Sequence, residues 1–267
     1  MTSHTQRLPQ RIVCLTTETV EILYALGEQD RIVGISGYTV RPPEARKEKP
    51  KVFAFTSGDI EKILATQPDL VLTFSDLQSE ISRDLIKAGI PVYALNPRSV
   101  EDILGIIETI GRLVGAEDRA LQLVAGLEAQ IERARAIAAE RFARTGRKPR
   151  VYFEEWDEPL ISGIRWVSEL IDIAGGEDIF AARARSPLAK DRRPTAEEVI
   201  AAAPNIIIGS WCGKHFRPER VAARPGWEAI PAVNSKNMHE IKSAIILTPG
   251  PVAIAEGLPL LLDIFDL

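Results

Sequence analysis

The sequence contains one pattern twice. Residues 59–72 read DIEKILATQPDLVL and residues 195–208 read TAEEVIAAAPNIII. In each copy an acid-rich helix start leads into an apolar face at helical spacing: Ile60, Ile63 and Leu64 in the first, Ala196, Val199 and Ile200 in the second. Pro68 and Pro204 then stop the helix, because proline has no N–H to donate and its ring crowds the preceding turn. A short unbroken apolar run follows, Leu70-Val71-Leu72 and Ile206-Ile207-Ile208. Such a run suits a parallel strand buried on both faces.

Three more pairs keep the same order. Arg11-Ile12-Val13-Cys14-Leu15 matches Arg150-Val151-Tyr152-Phe153. Ile22-Leu23-Tyr24-Ala25-Leu26-Gly27 matches Leu170-Ile171-Asp172-Ile173-Ala174-Gly175. Ile90-Pro91-Val92 matches Ile230-Pro231-Ala232-Val233. Separations of 136 to 148 residues mark a duplicated domain, not a solenoid of short repeats. Alternating strands and helices call for parallel sheets with helices on their faces. The expected fold is therefore α/β: two similar lobes with parallel-type sheets flanked by helices, joined by one long rigid helix. The N-terminal lobe is placed at 9–98 and the C-terminal lobe at 149–267, closing with a helix near 252–265. Between them, 99–148 form a connecting helical spine. Ser99 with Asp102 gives a helix start, and Gly115-Ala116-Glu117-Asp118 a break. From Asp118 to Arg141 the apolar residues Leu121, Val124, Leu127 and Ile131 share one side.

Composition narrows the function. A net charge of -4 lacks the basic footprint of a nucleic-acid binder. No run of about 18 apolar residues exists to span a membrane. The N-terminus carries no basic stretch followed by an apolar one, so it does not read as a signal peptide; either the chain works in the cytoplasm or it starts after a removed leader, and the sequence as it stands favours the first. Cys14 and Cys212 leave pairing open, as a single disulfide or two thiols. There is no Gly-x-Gly-x-x-Gly, phosphate-loop or Gly-x-Ser-x-Gly pattern. Asp191 falls in a Lys190-Asp191-Arg192-Arg193 run that reads as a solvated loop. The expectation is a monomeric binding protein with no catalytic centre, no cofactor and no resident metal.

Ligands of such folds gather beyond the carboxyl ends of the strands. Trp156 follows the predicted strand VYFEEW and Trp211 follows NIIIGSW, so both are expected at a cleft between the lobes. Tyr38, Phe55 and Phe74 are their expected counterparts in the first lobe. Aromatic side chains supply large contact area with few rotors to freeze. Trp166, opening a helix, reads as core, and Trp227 as a turn residue. Glu154-Glu155-Trp156-Asp157-Glu158 crowds four carboxylates that need solvent, a cation or a donor-rich ligand. Glu155 is the foremost candidate there for hydrogen bonds to ligand amides. Cys212 and His215 could touch a metal within a bound chelate. With His239 they fall short of the three or four ligands that zinc needs.

The stretch from Arg31 to Glu80 resembles a known family. It runs RIVGISGYTVRPPEARKEKPKV and then FTSGDIEKILATQPDLVLTFSDLQSE, and the likeness continues through SGIRWVSELIDIAGGEDIF and AAAPNIIIGSW. The chain is similar to the helical-backbone (class III) periplasmic substrate-binding proteins of ABC importers, most of all to the vitamin B12-binding members. That resemblance implies a small-molecule ligand, either a corrinoid or, alternatively, an iron-siderophore, haem or other metal chelate. It implies an exported protein, against the missing leader, and an ABC permease as partner. Docking would use one glutamate per lobe: Glu80 in the first, Glu228 or Glu219 in the second. The vitamin B12 binders carry tryptophan at the Phe55 position and another aromatic at Phe74, a departure that would reshape the pocket. The reading of another class is a cytoplasmic metal-dependent enzyme.

Overall fold

The structure is a computed structural model that describes residues 8–54 and 60–266. The chain divides into two compact units. The first comprises residues up to Pro97 together with Glu101–Gly126, and the second Arg98–Val100 together with Leu127–Leu267.

The first unit runs β1 (Ile12–Cys14), α1 (Thr17–Ala25), β2 (Ile32–Ser36), α2 (Pro43–Glu48), β3 (Lys51–Phe53), α3 (Ile60–Leu64), β4 (Leu70–Phe74), α4 (Ser79–Lys87), β5 (Val92–Leu95) and α5 (Val100–Val114). Its sheet is wholly parallel, in the order β3-β2-β1-β4-β5. The central strands β1 and β4 are buried throughout, as their unbroken apolar runs require. The strand β3 and the short helix α2 had no clear counterpart in the sequence pattern. After Gly115, whose φ of +71° ends α5, comes α6 (Glu117–Thr145), a continuous helix that starts in the first unit and ends in the second. The expected break at 115–118 is thus present.

The second unit continues with β6 (Arg150–Asp157), β7 (Leu160–Ser162), α7 (Arg165–Ile173), β8 (Glu177–Asp178), α8 (Ala181–Ala184), α9 (Ala196–Ala202), β9 (Ile206–Gly209), α10 (Pro218–Ala222), α11 (Pro231–Asn234), β10 (Met238–Glu240), α12 (Ser243–Ile246) and α13 (Leu258–Asp266), the last preceded by a π-helical turn at Ala253–Gly257. Its sheet has the order β10-β9-β6-β7, with β8 also on β6. All pairs are parallel except the β6–β7 hairpin. Trp156, Trp166, Trp211 and Trp227 all fall in this unit.

The duplication is written in hydrogen bonds. The Arg11 guanidinium donates to the carbonyls of Thr66 and Gln67 at the end of α3, and Arg150 donates to Ala202 at the end of α9. A cation there satisfies carbonyls with no partner inside the helix. Gln67 and Ala203, each just before its proline, both adopt left-handed backbone, with φ of 50° and 45°. The next residues set the strand register alike: Asp69 N–H donates to Arg11 O at 2.9 Å, and Asn205 N–H to Arg150 O at 2.8 Å. The ends of α1 and α7 also coincide. Glu28 N–H reaches back to Leu23 O around Gly27, and Gly176 N–H to Ile171 O around Gly175.

One expected match is corrected. Pro91 leads into β5 and accepts from Val71 N–H, but Pro231 opens helix α11. The residue that accepts from Ile207 N–H, the counterpart of Val71, is Asn237. Proline suits both the first helical position and the approach to a strand, so the local pattern could not distinguish them.

Candidate functional site

In the first unit the loop after β2 carries Tyr38, which is 67% exposed. Its N–H donates to Ser36 Oγ at 3.2 Å, and Arg46 of α2 donates to the carbonyls of Gly37 and Thr39, fixing the loop. Phe74, the last residue of β4, is only 8% exposed and offers little face to a ligand. Its N–H donates to Gln78 Oε1, while Gln78 Nε2 donates to Leu15 O beyond β1, tying the two strand ends together. Phe55 lies outside the described residues. At the start of α1, Glu18 is buried, and its Oε1 has no hydrogen-bond partner. Burial pushes its carboxyl up to about 7, against hydrogen bonds from its own backbone and from Thr16.

In the second unit β6 overshoots its parallel neighbours and pairs with β7. Glu154 opposes Ser162 and Trp156 opposes Ile161, so Glu155 is an extra residue in the ladder. A bulge of this kind bends the strand and re-aims the side chains beyond it.

The crowded carboxylates of β6 are neutralised within the chain. Glu154 is fully buried and accepts from Arg224 at 2.6 and 2.9 Å and from Trp211 Nε1 at 3.0 Å. Glu155 accepts from both Nη atoms of Arg192, at 2.6 and 3.1 Å. Asp157 is ion-paired with Lys214. Glu155, expected to offer hydrogen bonds to ligand amides, thus has its charge met by an arginine and keeps further lone pairs on a side chain that is 19% exposed. The reading of Arg192 as part of a solvated loop is corrected, since it is 2% exposed and also donates to Ser162 O.

Trp211 is also corrected. It is 2% exposed and packs edge-on against Phe216, ring centroids 5.1 Å apart, in a core with Tyr152, Val221 and Trp227. A Cβ on Gly209 would lie 1.8 Å from the Phe216 ring, so that glycine makes room for the packing. Trp156 is half-buried. It donates from Nε1 to Glu158 O at 2.8 Å, and the Lys214 ammonium sits 4.0 Å from its ring centroid. Cys212 is exposed in the same loop as Lys214. Cys14 is buried, and both thiols are free. Sequence reasoning missed Lys214, Arg192 and Arg224. The signal was present, since four adjacent carboxylates demand cations from elsewhere in the chain.

Among the described residues no group of three or more His, Cys, Asp or Glu side chains could hold a metal ion. His239 Nε2 lies 2.6 Å from Asn237 Oδ1, and His215 faces Glu240 at 3.6 Å. Glu80, Glu219 and Glu228 are exposed, with Glu219 3.7 Å from Arg217.

Residues 12–245 match the sequence model of the family described as periplasmic binding protein, and the chain belongs to that family. Its members are binding proteins, not enzymes. Over 217 residues the chain is 28% identical to the vitamin B12-binding protein of Yersinia pestis (strain Pestoides F), covering 80% of this chain and 73% of that protein. Among solved structures, the periplasmic heme-binding protein RhuT from Roseiflexus sp. RS-1, in apo form, is 25% identical. It matches with a TM-score of 0.82 over 96% of this chain and 98% of its own. The periplasmic vitamin B12-binding protein BtuF of Vibrio cholerae is 20% identical, with a TM-score of 0.75 over 97% of each chain.

Proposed function

We propose that this chain binds a corrinoid, a vitamin B12-like ligand, as the substrate-binding component of an ABC importer. The observation that carries this reading is the 28% identity to a vitamin B12-binding protein along four-fifths of the chain. The placement of aromatics supports it. Tyr38 and Trp156 lie at the carboxyl ends of β2 and β6, where open α/β sheets gather ligands. A flat macrocycle is held mainly by such apolar area. The protein works as a monomer. It meets the permease through Glu80 and, in the second unit, through Glu228 or Glu219, whose exposed charges would steer docking and make it salt-dependent.

A haem or other iron chelate is the second reading, favoured by the 25% identity to a heme-binding protein. Calorimetric titration with cyanocobalamin, haem and a ferric siderophore separates them. One-to-one binding of cyanocobalamin alone supports the first reading and haem binding alone the second. Silence with all three removes both.

A further inference from the structure

We infer that Lys214 is a specificity-determining residue that selects planar chelates bearing an ionised carboxylate at the edge of the ring. The inference rests on the chelate-binding reading above and narrows it to chelates with an acidic rim, haem and the corrinoid acids; cyanocobalamin, whose rim carries amides, falls outside that class.

The geometry begins with the ammonium. Lys214 Nζ lies 4.0 Å from the centroid of the Trp156 ring and 5.1 Å from that of Trp211, and it is ion-paired with Asp157. A cation over an indole face is held by the ring's quadrupole. Trp211 is buried, so Trp156 is the indole of this pair that a flat ligand can reach. A ring that stacks on Trp156 takes the place of the ammonium. Asp157 keeps the displaced lysine close, at the margin of the stacked plane.

What the lysine meets there depends on the ligand. A ring with a neutral edge leaves it with Asp157 alone and takes away its indole contact. A ring with a carboxylate at its edge supplies a second anionic partner in a partly desolvated place, where a charge-assisted hydrogen bond is strong. Asp157 is the one carboxylate of β6 that already competes for it. The oxygens of Glu154 and Glu155, the nearest other carboxylates on β6, are held by Arg224 and Arg192. The same loop adds His215 and Arg217, facing Glu240 at 3.6 Å and Glu219 at 3.7 Å. The loop after β9 thus presents three basic side chains in four residues, on the side of the sheet where a ligand would sit.

The test uses two matched pairs titrated by calorimetry: iron protoporphyrin IX with its dimethyl ester, and dicyanocobyrinic acid with its heptamethyl ester. Within a pair the ring and metal are the same, and the edge carboxylates are ionised in one member and methyl-esterified in the other. The expected result is a preference for the free acid of tenfold or more in at least one pair. Lys214→Gln abolishes that preference by weakening the free acid relative to the ester, and Lys214→Arg retains it. Equal binding of acid and ester by the unaltered protein overturns the inference and leaves the chelate reading standing. So does an equal loss for both in Lys214→Gln, or binding of cyanocobalamin with neither pair. No binding of any chelate overturns the reading and the inference with it.

Discussion

Arg224 grips Glu154 with both prongs of its guanidinium, Nη1 at 2.6 Å from Oε2 and Nη2 at 2.9 Å from Oε1. The carboxylate is wholly buried, and the Arg224 guanidinium stacks 4.4 Å from the Trp227 ring. Deleting the arginine would leave a charge without a counterion in the core. Arg224→Ala is expected to lower the unfolding free energy by about 3–5 kcal/mol. Urea denaturation measures it, and a loss below about 1 kcal/mol would mean that the pair is dispensable.

Trp156 and Trp211 should respond in opposite ways. Trp156→Ala is expected to weaken chelate binding by roughly thirtyfold, the loss of one aromatic anchor, with little change in melting temperature. Trp211→Ala empties a packed site and removes a donor from Glu154, costing about 3–5 kcal/mol of stability. Calorimetry and thermal melts on both variants decide it. Equal loss of stability in the two would contradict the assignment of Trp156 to the accessible rim.

Glu18 gives a pH dependence with a definite sign. Its carboxyl ionises near 7 in the folded chain, against an ordinary value of 4.5. Between these values the folded chain holds a proton that the unfolded chain has released. The penalty is absent below 4.5, grows as pH rises, and is complete above 7, where it amounts to about 3 kcal/mol. Glu18→Gln should therefore be more stable than the unaltered protein at pH 8 by an amount of that order, and the gap should close by pH 4.5. Thermal melts across that range test it. A gap independent of pH would show that burial of Glu18 has no titrating cost.

Ala203 adopts a φ of 45° before Pro204, a conformation in which a Cβ crowds the backbone. Ala203→Gly should raise stability by about 0.5–1 kcal/mol despite the flexibility glycine adds to the unfolded chain. Chemical denaturation checks the sign. A destabilised variant would mean that the entropy lost exceeds the strain relieved.

What could be read from the sequence was local. Arg11 and Arg150, the prolines at 68 and 204, and the apolar triplets beyond them repeat because the same short-range physics ends a helix and starts a strand in both units. The failures lay in distant pairings. Glu155 and Arg192 stand 37 residues apart, and no period or propensity links them, so the carboxylate looked free. Trp211 could not be told from Trp156, since both follow strand-like runs. Only the bulge at Glu155 and the close fit of Phe216 on Gly209 send one indole inward and leave the other at the rim.

The confinement of all four tryptophans to the second unit makes the chain half-silent to any optical probe that excites indole. Indole emission follows the second unit alone, while far-ultraviolet circular dichroism averages over both. A gap between the two melting curves would reveal which half comes apart first. Their coincidence would mean that the chain unfolds as one cooperative body.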